Sequence, residues 1–307
     1  MSQPAIEVEG LTKYYGAVIG IEELSFEVSP GEVYGFLGAN GAGKTTTIRL
    51  LLDLLRPSRG RARVLGLDCQ RDTLEARRRV GYLPGELPVY PDLSAAEYLD
   101  YLAQLDGRPV SRRYLGELLK RFDVSQVDLT RRLRVQSHGM KQKIGIIQAL
   151  MGRAPVLILD EPTAGLDPLM VQAFRDTLDD LKQDSATTIF LSSHVLTEVE
   201  ATCDRIGLIR GGRMVATGTI EDLKRSAARR VTIELREPES SPVPSSPPCF
   251  PPALPGVTIV SSSSRQLVLD VEGPLGPVLE ALSAFPVHDL RVESFTLEDF
   301  VARYYGH

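Results

Sequence analysis

The first 225 residues alternate short apolar runs with stretches whose apolar positions recur at helical spacing. Val156 to Leu159 is wholly apolar, and Thr187 to Leu191 (TTIFL) is rich in β-branched residues. Both runs predict buried strands. EVYGFLG reads as a strand and the following KTTTIRLLLDLL as a helix. Tyr98, Leu99, Leu102 and Leu105 recur with helical period, as do Leu115, Leu118, Leu119 and Phe122. A helical insertion is therefore expected between Ser94 and about Phe122. Ser94 followed three residues later by Glu97 has the pattern of a capping box that opens its first helix. Alternation of this kind predicts an α/β domain with a largely parallel sheet.

The pattern changes near Arg229. RRVTIELRE reads as a strand, and eight prolines then crowd between Pro238 and Pro255. Proline fixes φ and removes a donor, so this stretch is expected to be an extended, solvated loop. Beyond it, Val257–Val260 and Gln266–Val271 read as strands. Gly273–Phe285 reads as a helix with an internal Pro277, Val287–Val292 as a strand and Thr296–Tyr305 as a helix. Two domains are expected: residues 1–225, and an α+β accessory domain at 226–307 carrying a proline-rich loop at about 237–256.

Composition narrows the classes. Of 307 residues, 43% are hydrophobic and 24% charged, enough for a sizeable core. A net charge of −5 argues against a protein-wide field for nucleic acid, so no nucleic-acid partner is expected. Arg77, Arg78 and Arg79, and Arg131, Arg132 and Arg134, are expected on solvated helix faces. Cys69, Cys203 and Cys249 match no metal or disulfide spacing, and the favoured reading is a reducing compartment. Apolar runs fall far short of the roughly 20 residues that cross a bilayer. MSQPAIEVEG lacks a signal-peptide pattern. The expectation is a cytoplasmic chain that works at a membrane only through a spanning partner.

Candidate chemistry then sharpens the reading. Gly38-Ala-Asn-Gly-Ala-Gly43-Lys44-Thr45 fits G-x-x-x-x-G-K-[ST] between a predicted strand and a predicted helix. Glycines there let the backbone amides and the helix N-terminus face phosphates. Lys44 then neutralises the β- and γ-phosphates, and the Thr45 hydroxyl ligates Mg²⁺. The apolar strand at Val156 ends in Asp160-Glu161-Pro162, which puts two acids at the sheet edge where ligands of open α/β folds bind. Asp160 is expected to hold the metal, directly or through water. Glu161 is expected to point elsewhere and polarise an attacking water.

With these elements in order, the chain resembles the nucleotide-binding subunit of ATP-binding-cassette (ABC) transporters over about residues 5–225. Tyr15, in KYYG, matches the aromatic that stacks on adenine, though a half-buried strand aromatic is an equal local reading. Gln136-Ser137-His138-Gly139-Met140 stands where the family has its LSGGQ signature. Ala164-Gly165-Leu166-Asp167 matches the D-loop, and His194, in LSSHVL, matches the switch histidine. Locally, Ser137 is also a helix N-cap, and Asp167 an N-cap before a proline at the first helical position.

The resemblance implies a P-loop ABC ATPase domain with a helical insertion and a small C-terminal α+β domain. It implies ATP and Mg²⁺ as cofactors, with Thr45 and Asp160 at the metal and Glu161, His194 and Lys44 in catalysis. ATP contacts would come from Tyr15, Gly38, Asn40, Gly41, Gly43, Lys44, Thr45, Thr46, Ser137, Gly139 and Asp167. It further implies a head-to-tail ATPase homodimer, peripheral on the cytoplasmic face of the cell membrane through an integral permease. SHGMKQKIG looks like the S-K-G-M-K-Q variant of type-two exporter ATPases, with His138 in the place of its lysine. VTIELRE and LEDFVARYYG look like the accessory domain of that class.

One departure stands out. In GYLPGELPVY, Gly85 occupies the place of the family's metal-ligating glutamine, and either Glu86 or a water substitutes for it. Two rival readings differ in class: a soluble ABC-type ATPase acting outside transport, and a weakly hydrolysing regulatory module. The single cassette without a heptad array argues against the first, and the intact Lys44, Asp160, Glu161 and His194 against the second.

Overall fold

The computed structural model describes residues 3–87, 90–185, 187–226, 229–236, 254–263, 265–271, 273–283 and 285–294. The chain divides into two compact units, Met1–Thr217 and Gly218–His307.

The first unit opens with β1 (Ile6–Tyr15) and β2 (Val18–Val28), then β3 (Val33–Leu37) and α1 (Lys44–Leu51). Strands β4 (Arg59–Val64) and β5 (Leu67–Asp68) follow, then α2 (Thr73–Arg78) and β6 (Val80–Leu83). The helical insertion contains α3 (Ala95–Asp106), α4 (Arg112–Arg121) and α5 (Gln126–Thr130), and leads to α6 (His138–Met151). The unit continues through β7 (Val156–Asp160), α7 (Pro168–Ser185), β8 (Thr188–Ser193), α8 (Leu196–Thr202), β9 (Arg205–Arg210) and β10, which begins at Arg213 and ends at Thr219.

These strands form two sheets. One has six strands in the order β10-β9-β3-β8-β7-β6, in which β9, β3, β8, β7 and β6 pair in parallel. The parallel strands are largely apolar, and all five residues of both β3 and β7 are buried, as expected for strands covered on two faces. The other sheet is antiparallel, in the order β2-β1-β4-β5. It is an addition to the largely parallel sheet expected from the strand–helix alternation. Its strands alternate buried and exposed positions, as β2 does from Leu24 to Val28. One face of each is left outward, which shorter apolar runs serve well.

An aromatic cluster joins the two sheets. Phe26 of β2 stacks on Tyr34 of β3 with centroids 5.6 Å apart and on Phe190 of β8 at 5.8 Å. Phe36 lies 5.4 Å from Phe190. Burial pushes the Tyr34 hydroxyl up to about 12, so the ring contributes as a neutral, hydrogen-bonded core group.

Local signals set the helix starts. Ser94 Oγ accepts from Glu97 N and the Glu97 carboxylate accepts from Ser94 N, which makes the capping box of α3. The basic clusters are not simple solvated helix faces. Arg77 donates to the carbonyls of Leu52 and Asp53, at 2.6 and 2.7 Å, and so satisfies the C-terminal end of α1. Arg131, Arg132 and Arg134 lie in the connection between α5 and α6, where Arg132 and Arg134 face Asp92 at 3.7 and 3.4 Å. Cys69 and Cys203 are buried free thiols, while Cys249 lies outside the described residues.

The second unit contains α9 (Ile220–Ser226), β11 (Arg229–Leu235), β12 (Val257–Ser262), β13 (Gln266–Val271), α10 (Gly276–Leu282) and β14 (Val287–Ser294). Its sheet is antiparallel, in the order β12-β13-β11-β14. Val231, Ile233, Leu267 and Leu269 pack with Val278 and Leu282 of α10 in a core of its own. The helix expected over Gly273–Phe285 is shorter than its apolar pattern. It begins at Gly276 and takes Pro277 into its first turn, where a missing N–H costs nothing. Residues 237–253 of the proline-rich loop and the expected helix at Thr296–Tyr305 lie outside the described residues.

Phe190 is fully buried where the two sheets of the first unit meet. Phe190→Ala should therefore destabilise that unit by about 3–5 kcal/mol. Urea unfolding measures this, and a loss below about 1 kcal/mol would show that the cluster does not join the sheets.

Candidate active site

The parallel sheet brings the ends of β3, β8 and β7 to one edge. Gly38 N donates to Ser193 O at 3.2 Å, and Glu161 N donates to Ser192 O at 3.2 Å, so both turns leaving the sheet are tied to the end of β8. The phosphate-loop candidate and the acidic strand end thus face each other although 115 residues separate Thr45 from Asp160.

Residues 38–43 form a turn that ends at Gly43, the N-cap of α1, with φ 113°. Only glycine adopts that angle without strain. A Cβ on Gly43 would also stand 2.7 Å from Ile21 Cγ2 and 2.9 Å from Gly20 O. Having no side chain, Gly43 cannot cap α1, and the first amides of the helix at Lys44, Thr45 and Thr46 are left for an anion. Gly38 is buried at the base of the loop, while Asn40 and Gly41 are exposed at its crest.

The side chains sort themselves by charge. Lys44 is only 6% exposed, and its Nζ lies 2.6 Å from Gly38 O and 3.1 Å from Glu161 Oε1. Thr45 Oγ1 donates to Asp160 Oδ2 at 2.9 Å. Asp160 is 2% exposed and also accepts from Ser192 Oγ. The two acids diverge: Asp160 faces Thr45, and Glu161, 21% exposed, faces Lys44 and His194. His194 Nδ1 lies 2.8 Å from Glu161 Oε2. Sequence reasoning therefore names Lys44, Thr45, Asp160, Glu161 and His194, and the fold brings all five together.

Other candidates lie apart from that cluster. Ser137 Oγ accepts from Met140 N at 3.2 Å and caps α6, and Asp167 Oδ1 accepts from Met170 N at 3.0 Å and caps α7. Gly139 packs against Gly165: a Cβ on it would stand 3.0 Å from Gly165 O. The contacts of Ser137 and Gly139 are thus with their own helix and the D-loop, not with the phosphate loop. Tyr15 ends β1 and is 44% exposed, with Lys13 Nζ 5.5 Å from its ring centroid.

Gly85 lies beside the Asp160 carboxylate: a Cβ there would stand 3.4 Å from Asp160 Oδ2. The next residue, Glu86, lines a groove of about 520 Å³ with Tyr82, Tyr98, Leu102 and Gln148. Two contributors escape sequence reasoning. Ser192 binds Asp160, and the buried Gln142 donates to Glu161 O and Pro162 O. Both partnerships join residues 19 to 32 apart, and the only signal was a polar residue inside an apolar run or helix.

The geometry fits a nucleoside triphosphate. The loop offers amides and an ammonium, and the left-handed Gly43 allows the turn that brings them together at the start of α1. The Lys44 ammonium faces Glu161 alone, while Asp160 has only the Thr45 and Ser192 hydroxyls beside it, which leaves its negative charge for a cation to balance. Thr45 and Asp160 offer hard oxygen donors, and no group of three or more His, Cys, Asp or Glu gathers among the described residues. That is a site suited to a cation held by few protein ligands together with phosphate oxygens.

A glycine loop on a parallel sheet, closed against an acidic strand end, defines a P-loop nucleotide hydrolase. Comparison with known proteins gives the family. The model of the ABC transporter family matches residues 21–164. The bacitracin transport ATP-binding protein BcrA of Bacillus licheniformis is 35% identical over 232 residues, which are 76% of this chain and 75% of that protein. The daunorubicin resistance ATP-binding protein DrrA3 of Streptomyces coeruleorubidus is 34% identical over 306 residues, 99% of this chain and 93% of that one. A solved structure of an ATP-binding subunit of an ABC transporter superposes with a TM-score of 0.67 at 34% identity, covering 72% of this chain and 92% of that chain. The chain belongs to the ABC transporter family as an ATP-binding subunit, and it is an ATP hydrolase.

Lys44→Ala removes an ammonium buried against the phosphate loop. ATP affinity should fall by at least about tenfold, or ~1.4 kcal/mol. Calorimetric titration with ATP measures this, and an unchanged Kd would exclude the loop as the phosphate site.

Proposed function

We propose that this chain is the ATPase subunit of an exporter, in which Glu161 is the general base and ATP binding sets it free. The observation that carries the reading is the chain of contacts Lys44–Glu161–His194, at 3.1 and 2.8 Å. In this arrangement Lys44 faces Oε1 of the base and His194 faces Oε2. Lys44 exchanges Glu161 for phosphate oxygens, because a triphosphate presents more negative charge than one carboxylate. Glu161 then accepts a proton from water, and His194 orients that carboxylate and supports the charge that develops on the γ-phosphate. Thr45 and Asp160 would hold Mg²⁺, which when bound neutralises charge on the β- and γ-phosphates. Tyr15, half open at the end of β1, offers a face to adenine.

Two copies complete the site. Ser137 and Gly139 lie at the N-terminus of α6, whose dipole favours an anion, yet they do not meet the phosphate loop of their own chain. A head-to-tail homodimer brings them, with Asp167, to the other copy's nucleotide. Hydrolysis removes the charged bridge and the pair reopens. No helix among the described residues is long and apolar enough to cross a membrane, so an integral permease supplies the path. The groove lined by Glu86, Tyr98 and Leu102 receives it on the cytoplasmic face. Export is supported by the relatives named for bacitracin transport and daunorubicin resistance.

Glu161→Gln keeps the shape of the base and removes its charge. Turnover should fall about 10³-fold or more while an ATP-dependent dimer accumulates on size exclusion. Near-normal hydrolysis would remove Glu161 from the role of base. Because Glu86 lines the groove, Glu86→Ala should impair transport while the isolated subunit still hydrolyses ATP. Equal loss of both activities would instead make Glu86 the replacement for the glutamine missing at Gly85.

A further inference from the structure

The base stands in a backbone conformation that needs support. Glu161 has φ +49°, in the left-handed region that side chains other than glycine rarely occupy. A residue stays there only where its surroundings over-determine it. From above, Ser192 O and Ser192 Oγ both accept from Glu161 N, each at 3.2 Å. From below, the support comes from one face of α6. Gln142, 2% exposed, donates its amide to Pro162 O at 2.9 Å and to Glu161 O at 3.3 Å. One turn earlier on that face, the His138 ring lies against Gly165: a Cβ on Gly165 would stand 2.5 Å from His138 Cδ2. Gly165 is itself left-handed, with φ +77°. Residues i and i+4 of a helix lie one above the other, so His138 and Gln142 hold the two ends of the turn from Glu161 to Gly165.

We propose that the first turns of α6 are the positioning device for the base, with Gln142 fixing the backbone of Glu161 and His138 fixing the D-loop at Gly165. Neither residue touches the reacting atoms. Ser137, which caps the same helix, faces the partner's nucleotide in the reading above, so the helix that senses one nucleotide aligns the base for the other. This assigns a role to His138, at the position where the signature departs from glycine or lysine. The inference rests on Glu161 being the base.

The test uses the full chain in steady-state ATP hydrolysis. Gln142→Met keeps side-chain length and removes both donors. It should lower kcat at least tenfold and leave KM for ATP within about twofold. A folded variant with kcat within twofold of the parent would overturn the proposal. So would a loss of thermal stability and ATP affinity with kcat per bound nucleotide unchanged, which is what a merely structural residue gives. A double-mutant cycle supplies a second reading if that variant fails to fold. Gly165→Ala should lower kcat both through strain at its left-handed φ and by collision with His138, and adding His138→Gly, which relieves only the collision, should recover at least threefold of the loss. Additive effects would overturn the role of His138. Glu161→Gln is assayed alongside: if it retains turnover, the base assignment falls and this inference with it. If it is inactive while Gln142→Met is normal, only this inference falls.

Discussion

The parallel pairing of β3 and β7 on either side of β8 is the constraint from which the site follows. Parallel strands end at the same edge, so Leu37 and Asp160 deliver their turns side by side, each bonded to the end of β8. The phosphate loop and the acids belong to segments more than a hundred residues apart, and no local propensity joins them. What joins them is the burial of three apolar strands in one sheet, together with the aromatic cluster that packs the antiparallel sheet against it. Hydrophobic burial here is what makes an ion pair between Lys44 and Glu161 geometrically available.

In the proposed mechanism that ion pair gives the site its two states. A buried ammonium needs acceptors, and Lys44 has them in Gly38 O and Glu161. Phosphate oxygens satisfy the same ammonium, so an arriving nucleotide replaces a partner and leaves no charge uncompensated. The carboxylate released by that exchange already has His194 beside it. In the proposed mechanism, nucleotide binding and activation of Glu161 are then one electrostatic event, carried by the side chains that the loop and the strand end place within 3.1 Å.

The side chains that gather at the candidate site are legible in the sequence because local order encodes them. A glycine loop between strand and helix and two acids at the end of an apolar run each need only a few adjacent residues. Helix caps at Ser94, Ser137 and Asp167 were legible for the same reason. Gln142 and Ser192 were not, since a helical glutamine and a strand serine acquire meaning only from the turn they meet in three dimensions. His138 reads as an unexplained departure along the chain, and its neighbour Gly165 supplies the explanation. The antiparallel sheet escaped because its alternating strands were outweighed by the strong apolar runs. The apolar pattern puts Pro277 inside a helix, whereas it sits in the first turn of one.

The most direct test of the account is the structure of the full chain with Mg²⁺ and a non-hydrolysable ATP analogue. The account predicts that Lys44 Nζ leaves Glu161 for phosphate oxygens, with Glu161 turned to a water and still beside His194. A complex in which the Lys44–Glu161 pair persists while the nucleotide is bound would contradict it.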